Sequence, residues 1–174
     1  DTVLEWRDRL VATSHDLHAH PELAFEEHRS AALVADLLRD AGFAVEVGVW
    51  GQDTALEAVY GNGELTVVVC AEYDALPGIG HACGHNIIAT AGAGAAIALS
   101  RVGGGMGIRV KGLGTPAEEK GAGKAHMLEA GAWEDATVSL MVHPGPGIVV
   151  PTAGSTSQSR DRFRVEFTGR ASHA

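Results

Sequence analysis

Cysteine is scarce in this chain: two residues, Cys70 and Cys83, in 174. Two thiols cannot staple a domain of this size, which excludes a disulfide scaffold and fits a reducing, cytoplasmic compartment. Positive charge is scarce as well, with 13 Lys and Arg against 22 Asp and Glu and a net charge of −9. No basic stripe exists and the acidic excess repels phosphate, so nucleic acid is excluded as a partner. No apolar run approaches the roughly 20 residues a membrane span needs. The N-terminus, Asp1-Thr2, lacks the basic and then apolar regions of a signal peptide. The initiator Met is missing too, which points to a trimmed or partial chain. What is plentiful is apolar side chain, 45% of the residues, enough for the core of one domain or slightly more.

Periodicity orders the rest. Thr2 to Ala19 reads as a helix with Trp6, Leu10 and Leu17 near one face. Pro21 then biases His20 away from helix. A second helix is expected over Glu26 to Ala41, striped by Leu33, Val34, Leu37 and Leu38, with Gly42 as its C-cap. Phe43, Val45, Val47 and Val49 alternate as a strand with one wet face. Thr54 to Tyr60 is a second strand, and Gly61-Asn62-Gly63 is a turn leading to a third, Leu65 to Ala71. The third is apolar on both faces and so belongs in the middle of a helix-covered sheet. A small-residue helix over Asn86 to Arg101, a strand over Ile108 to Leu113, a short helix over Lys124 to Ala130 and a strand over Ala136 to Val142 complete the pattern. Gly103-Gly104-Gly105 is a turn and not a phosphate loop, because no Lys-Ser/Thr follows. The alternation predicts an α/β fold with a mostly parallel, helix-covered sheet.

Three of these strands end in ligand-type side chains. After Ala71 comes Glu72-Tyr73-Asp74-Ala75-Leu76-Pro77-Gly78-Ile79-Gly80-His81-Ala82-Cys83-Gly84-His85-Asn86; after Leu113 come Glu118 and Glu119; after Val142 comes His143. In a parallel sheet those ends share one edge, the place where open α/β sheets bind ligands. Thiolate, imidazole and carboxylate are the ligand types of Zn²⁺ and similar divalent ions. Of two adjacent glutamates, one can bind metal while the other takes a proton from a water that the ion acidifies. A mixed oxygen, nitrogen and sulfur set of more than three ligands suits a two-metal hydrolytic site.

The motifs Asp74-Ala75-Leu76-Pro77, His81-Ala82-Cys83-Gly84-His85, Pro116-Ala117-Glu118-Glu119 and His143-Pro144, with His20-Pro21-Glu22-Leu23 and Glu27, resemble those of the dinuclear metal-dependent aminoacylase/carboxypeptidase family. The branch is similar to the amidohydrolases of N-acyl amino acids, aminobenzoyl-glutamate and dipeptides. The likeness runs from Leu10 to His173. It implies a zinc-peptidase-like catalytic domain holding two divalent ions, Zn or Mn. Cys83 (bridging), His85, Glu119 and His143 would be metal ligands, Glu118 the general base and Asp74 an orienting carboxylate. It further implies a small-molecule amide or dipeptide substrate. Glu72 and Asn86 depart from the family pattern, since Asp is frequent at both places.

By the same resemblance the catalytic domain spans residues 1–158, and residues 159–174 begin a smaller α+β lid that carries the dimer contact. Phe163, Val165 and Phe167 would form the lid's first strand and His173 would act on substrate. A last His ligand is expected beyond Ala174, which makes this chain the N-terminal part of a longer, homodimeric protein.

Plainer readings apply to several residues. Cys70, inside a strand, is a small hydrophobe. His15, His18, His28 and His126 fit helix faces or the surface. His20 and His81 fit hydrogen-bonding support of the ligands rather than ligation. Glu26 and Glu27 near a helix start fit the helix dipole. Two other functions stay open: a thiol hydrolase with Cys83 as nucleophile, and a binding fragment without turnover. A zinc deaminase is excluded, as neither His-x-Glu nor Pro-Cys-x-x-Cys is present.

Overall fold

The structure, a computed structural model, describes residues 1–103, 105–145, 147, 163–170 and 172–173. The chain divides into two compact units, Asp1–Pro144 and Gly145–Ala174. The expected boundary between residues 158 and 159 lies outside the described residues.

In the first unit, helices α1 (Thr2–Ala19) and α2 (His28–Asp40) precede strands β1 (Ala44–Val47), β2 (Leu56–Tyr60) and β3 (Leu65–Ala71). Helix α3 (His85–Gly103), strand β4 (Ile108–Gly114), helix α4 (Gly123–Glu129) and strand β5 (Val138–Leu140) follow. Asp1 caps α1, its carboxylate accepting the Val3 amide, as a short acidic side chain does for the orphan donors of a first turn. Helix α2 buries Ala31, Val34, Ala35 and Leu38 on one face. Gly42, at φ +95°, ends it, a backbone region open to glycine and strained for other residues. The helix begins at His28 rather than Glu26 because Glu27 adopts a non-helical cap conformation.

The sheet order is β1-β2-β4-β3-β5. Strand β3 runs parallel to β4, from Leu65↔Ile108 to Ala71↔Gly114, and parallel to β5. Strands β1 and β2 instead pair antiparallel with each other and with β4. The expected mostly parallel sheet is therefore mixed: parallel over the three strands that carry ligand-type residues, antiparallel at the other side. The Gly61-Asn62-Gly63 turn does not close a β2–β3 hairpin, since β4 inserts between those strands. The reason is burial. Val69 packs in one core with Leu38, Leu56, Ile97 and Val110, while Val68 and Cys70 pack in a second with Leu113 and Met127. A strand apolar on both faces takes the interior of a sheet, between two neighbours.

Helices α1, α2 and α3 cover the first face and α4 the second. Helix α3 is, among the described residues, the one helix long and apolar enough to cross a membrane, but most of it is buried within the fold. Its glycines set its approach to the sheet: a Cβ on Gly92 would lie 2.6 Å from the Cys70 carbonyl oxygen.

In the second unit the strand expected over Phe163, Val165 and Phe167 is not formed, and these side chains are exposed. A single strand gains no ladder without a neighbour.

Candidate metal centre

Strands β3, β4 and β5 point the same way, so the loops leaving their C-terminal ends meet. Glu72 and Asp74 follow β3 and are both buried. Helix α3 starts at His85, and the imidazole is held from one side. Its Nδ1 lies 3.0 Å from Asp74 Oδ1. Asp74 can only accept, so Nδ1 carries the hydrogen and Nε2 faces the other way. The second Asp74 oxygen accepts the Glu119 backbone N–H at 2.9 Å. One carboxylate thus ties the β3, α3 and β4 ends together.

Nε2 of His85 faces acid. It lies 3.4 Å from Glu72 and 3.8 Å from both Glu118 and Glu119. The His143 ring stands edge-on to it, centroids 5.9 Å apart. Two sets of ligand atoms lie within 4.8 Å of one another: Glu72, His85 and His143, and His85, Glu118 and Glu119. His85 belongs to both. Nε2 of His85 and Oε2 of Glu72 are buried without a hydrogen-bond partner. Buried polar atoms are nearly always satisfied. An electron-pair donor left facing a carboxylate oxygen fits a missing cation, and the imidazole-carboxylate set matches a zinc-like ion.

Titration follows the same geometry. Burial opposes protonation of His85, but the Asp74 hydrogen bond and the facing carboxylates outweigh it and raise its pKa. Burial pushes Asp74 up, and the bond to His85 with the backbone donors brings it below the usual value. Glu118 is raised, first by burial and then by Glu72 beside it, with Lys124 working the other way. The Lys124 ammonium pairs with Glu72.

Cys83 reaches the set through Glu119. The hydrogen bond to that carboxylate, then burial, push the thiol up to about 11. His81 is buried close by, and burial followed by the charge of His85 lowers its pKa. His20 does not join them; it is exposed at the end of α1, its Nδ1 3.2 Å from Asp16. Proline at 21 ends the helix there, and the nearest carboxylate takes the ring. Asn86 turns away from the ligands and donates to Ser14 of α1. His173 lies in the second unit.

No protein-family model matches the chain. It is 38% identical to mouse Xaa-Arg dipeptidase, over 98% of this chain and 42% of that protein. It is 34% identical to a p-aminobenzoyl-glutamate hydrolase from Escherichia coli K12, over 100% of this chain and 40% of that protein. Among solved structures, the first unit's fold is shared by a dinuclear metal-binding peptidase of the M20 family from Bacillus subtilis, at TM-score 0.70 and 26% identity, covering 78% of this chain and 42% of that one. This chain is homologous to the N-terminal portion of the dinuclear metal-dependent peptidases and amidohydrolases. It spans less than half the length of the relatives it matches.

Two residues of this M20-type site escape sequence reasoning. In the sequence Glu72 stands out only as a departure from an expected Asp, although it sits at the end of the buried strand, where a carboxylate needs a partner. Glu27 fits a helix dipole by its position, yet it is fully buried and reaches Ala117, 90 positions away. No local pattern announces such a contact.

Proposed function

We propose that this chain supplies the metal-binding catalytic face of an amidohydrolase that cleaves a C–N bond of an N-acyl amino acid, an aminobenzoyl-glutamate-like conjugate or a dipeptide. The observation that carries the reading is His85 Nε2, buried, unpartnered and facing three carboxylates at the ends of parallel strands. Cys83, His85, Glu119 and His143 are the ligands in this reading, and Glu72 is a further carboxylate within reach. Two divalent ions, Zn or Mn, would supply Lewis acidity and a water acidic enough to react near neutral pH.

The chain's own residues do the rest. Asp74 fixes the His85 tautomer and holds the Glu119 backbone. Glu118 is partly exposed, 45% at its side chain, so it can meet water and substrate. It takes the proton of the attacking water as oxygen bonds to the acyl carbon. It returns that proton to the amine nitrogen as the C–N bond breaks. A thiol nucleophile is less well served, because a Cys83 held up at about 11 is nearly all thiol at neutral pH. His173 is kept as the substrate-contacting residue, on the resemblance alone. So are catalytic and lid segments at 1–158 and 159–174, a homodimer and a cytoplasmic site of action.

The test is metal analysis of the full-length protein together with hydrolysis of an amide panel, before and after chelation. Amide turnover that chelation abolishes and Zn or Mn restores is expected. Turnover that survives chelation returns the thiol reading. Bound metal with no turnover on any amide leaves a binding protein.

A further inference from the structure

Glu27 is a fully buried carboxylate with no role in the site described so far. It caps α2, but its side chain turns inward. Oε2 accepts the Thr54 hydroxyl at 2.7 Å and Oε1 accepts the Ala117 backbone N–H at 2.9 Å. Both donors are neutral. Burying a carboxylate on neutral donors is costly unless the hydrogen bonds are well made. Thr54 extends the connection, because its carbonyl accepts the Tyr73 hydroxyl. Tyr73 is fully buried and stands between Glu72 and Asp74. Room for that hydroxyl comes from Gly114, where a Cβ would lie 2.7 Å from it.

The anchored amide matters because of its position. Ala117 immediately precedes Glu118 and Glu119, and it sits at φ +58°. That left-handed conformation is unfavourable for alanine and persists only where surroundings impose it. A peptide plane in that conformation turns the chain so that the Glu119 amide reaches Asp74 and both carboxylates face His85.

We infer that Glu27 is a positioning residue: its carboxylate, braced by Thr54, locks the Ala117 peptide and thereby aims Glu118 and Glu119. This rests on the proposed roles of those two glutamates. It is separate from ligation, since the Glu27 oxygens are engaged by Thr54 and Ala117.

The experiment compares Glu27→Met with Glu27→Gln in the full-length, metal-loaded protein. Methionine keeps the volume and leaves the Ala117 amide unpaired; glutamine keeps an acceptor oxygen for it. Expected for E27M is a fall in kcat of about 10–100-fold, the usual cost of losing a residue that orients a metal site, with KM and metal content near wild type. E27Q should recover most of it. Hydrogen exchange at the Ala117 amide is read in parallel on metal-free protein, independently of turnover. It should be faster by roughly tenfold or more in E27M and near wild type in E27Q. If E27M does not fold, Thr54→Val, which removes only the brace on Glu27, must still accelerate exchange at Ala117. Unchanged exchange, equal impairment of E27Q and E27M, or a kcat loss that merely tracks lost metal overturns the inference. A wild-type protein that hydrolyses no amide defeats the proposed function instead, and leaves the exchange result to decide the role of Glu27.

Discussion

His85 and Asp74 form a buried pair, Nδ1 to Oδ1 at 3.0 Å, and that contact decides which ring nitrogen is offered to the neighbouring carboxylates. Asp74→Asn keeps the size but removes the charge, and its amide can present a donor to Nδ1. The ring then loses its fixed tautomer. Metal affinity should fall by about 10–100-fold, measured by competition with a chromophoric chelator. Affinity equal to wild type would mean that Asp74 does not orient the ligand.

Glu118 and Glu119 are adjacent in sequence but differ in exposure, 45% against 15% at the side chain. The more open one suits proton transfer and the more buried one suits ligation. Glu118→Gln should keep metal and lose turnover by roughly 10²–10⁴-fold, the range of a general base. Glu119→Gln should weaken metal binding. Metal content and kcat on one amide substrate separate the two, and exchanged phenotypes would reverse the assignment.

Cys83 offers a pH test in metal-free protein. Its hydrogen bond to Glu119 holds the pKa at about 11, so the reactive thiolate is about one part in ten thousand at pH 7 and grows as pH rises toward that value. In a Cys70→Ser background, iodoacetamide labelling should be slow at pH 7 and climb steadily through pH 10. Glu119→Gln removes the first cause of the shift, so labelling at pH 7 should speed up. A plateau in labelling below pH 9 in the unsubstituted site would refute the geometry.

Gly92 and Gly94 both lie inside α3, and alanine at either gains helix propensity, about 0.5–1 kcal/mol. Their surroundings differ. A Cβ at Gly92 meets the Cys70 carbonyl at 2.6 Å, part of a strand that cannot yield, whereas one at Gly94 meets Leu10 Cδ1 at 3.1 Å, the tip of a flexible side chain. Gly92→Ala should destabilise by about 1–3 kcal/mol, as overpacking does. Gly94→Ala should be near neutral. Urea denaturation of the two variants checks the contrast.

How much is visible in the sequence differs by residue, and the reason is range. Periodicity locates the elements. Leu33 to Leu38 marks the inward stripe of α2, and the unbroken apolar run from Leu65 to Ala71 marks a strand buried on both faces, because each signal is carried by neighbours within one turn or one pleat. Ligand-type residues after three strands are visible for the same reason, and so is their meeting, once β3, β4 and β5 are taken as parallel.

The tertiary structure decided what depends on partners far along the chain. Strand β4 sits between β2 and β3, which reverses the pairing that the Gly61-Asn62-Gly63 turn suggests and makes the sheet mixed. Glu72 turns from a departure into a carboxylate 3.4 Å from His85, and His20 drops out onto Asp16. Glu27 has the position of a dipole residue but reaches Ala117 across the fold. None of these has a local signature. A hydrogen bond or ion pair between distant segments depends on where the backbones cross, and that crossing is fixed by burial of the whole sheet rather than by the residues beside each charge.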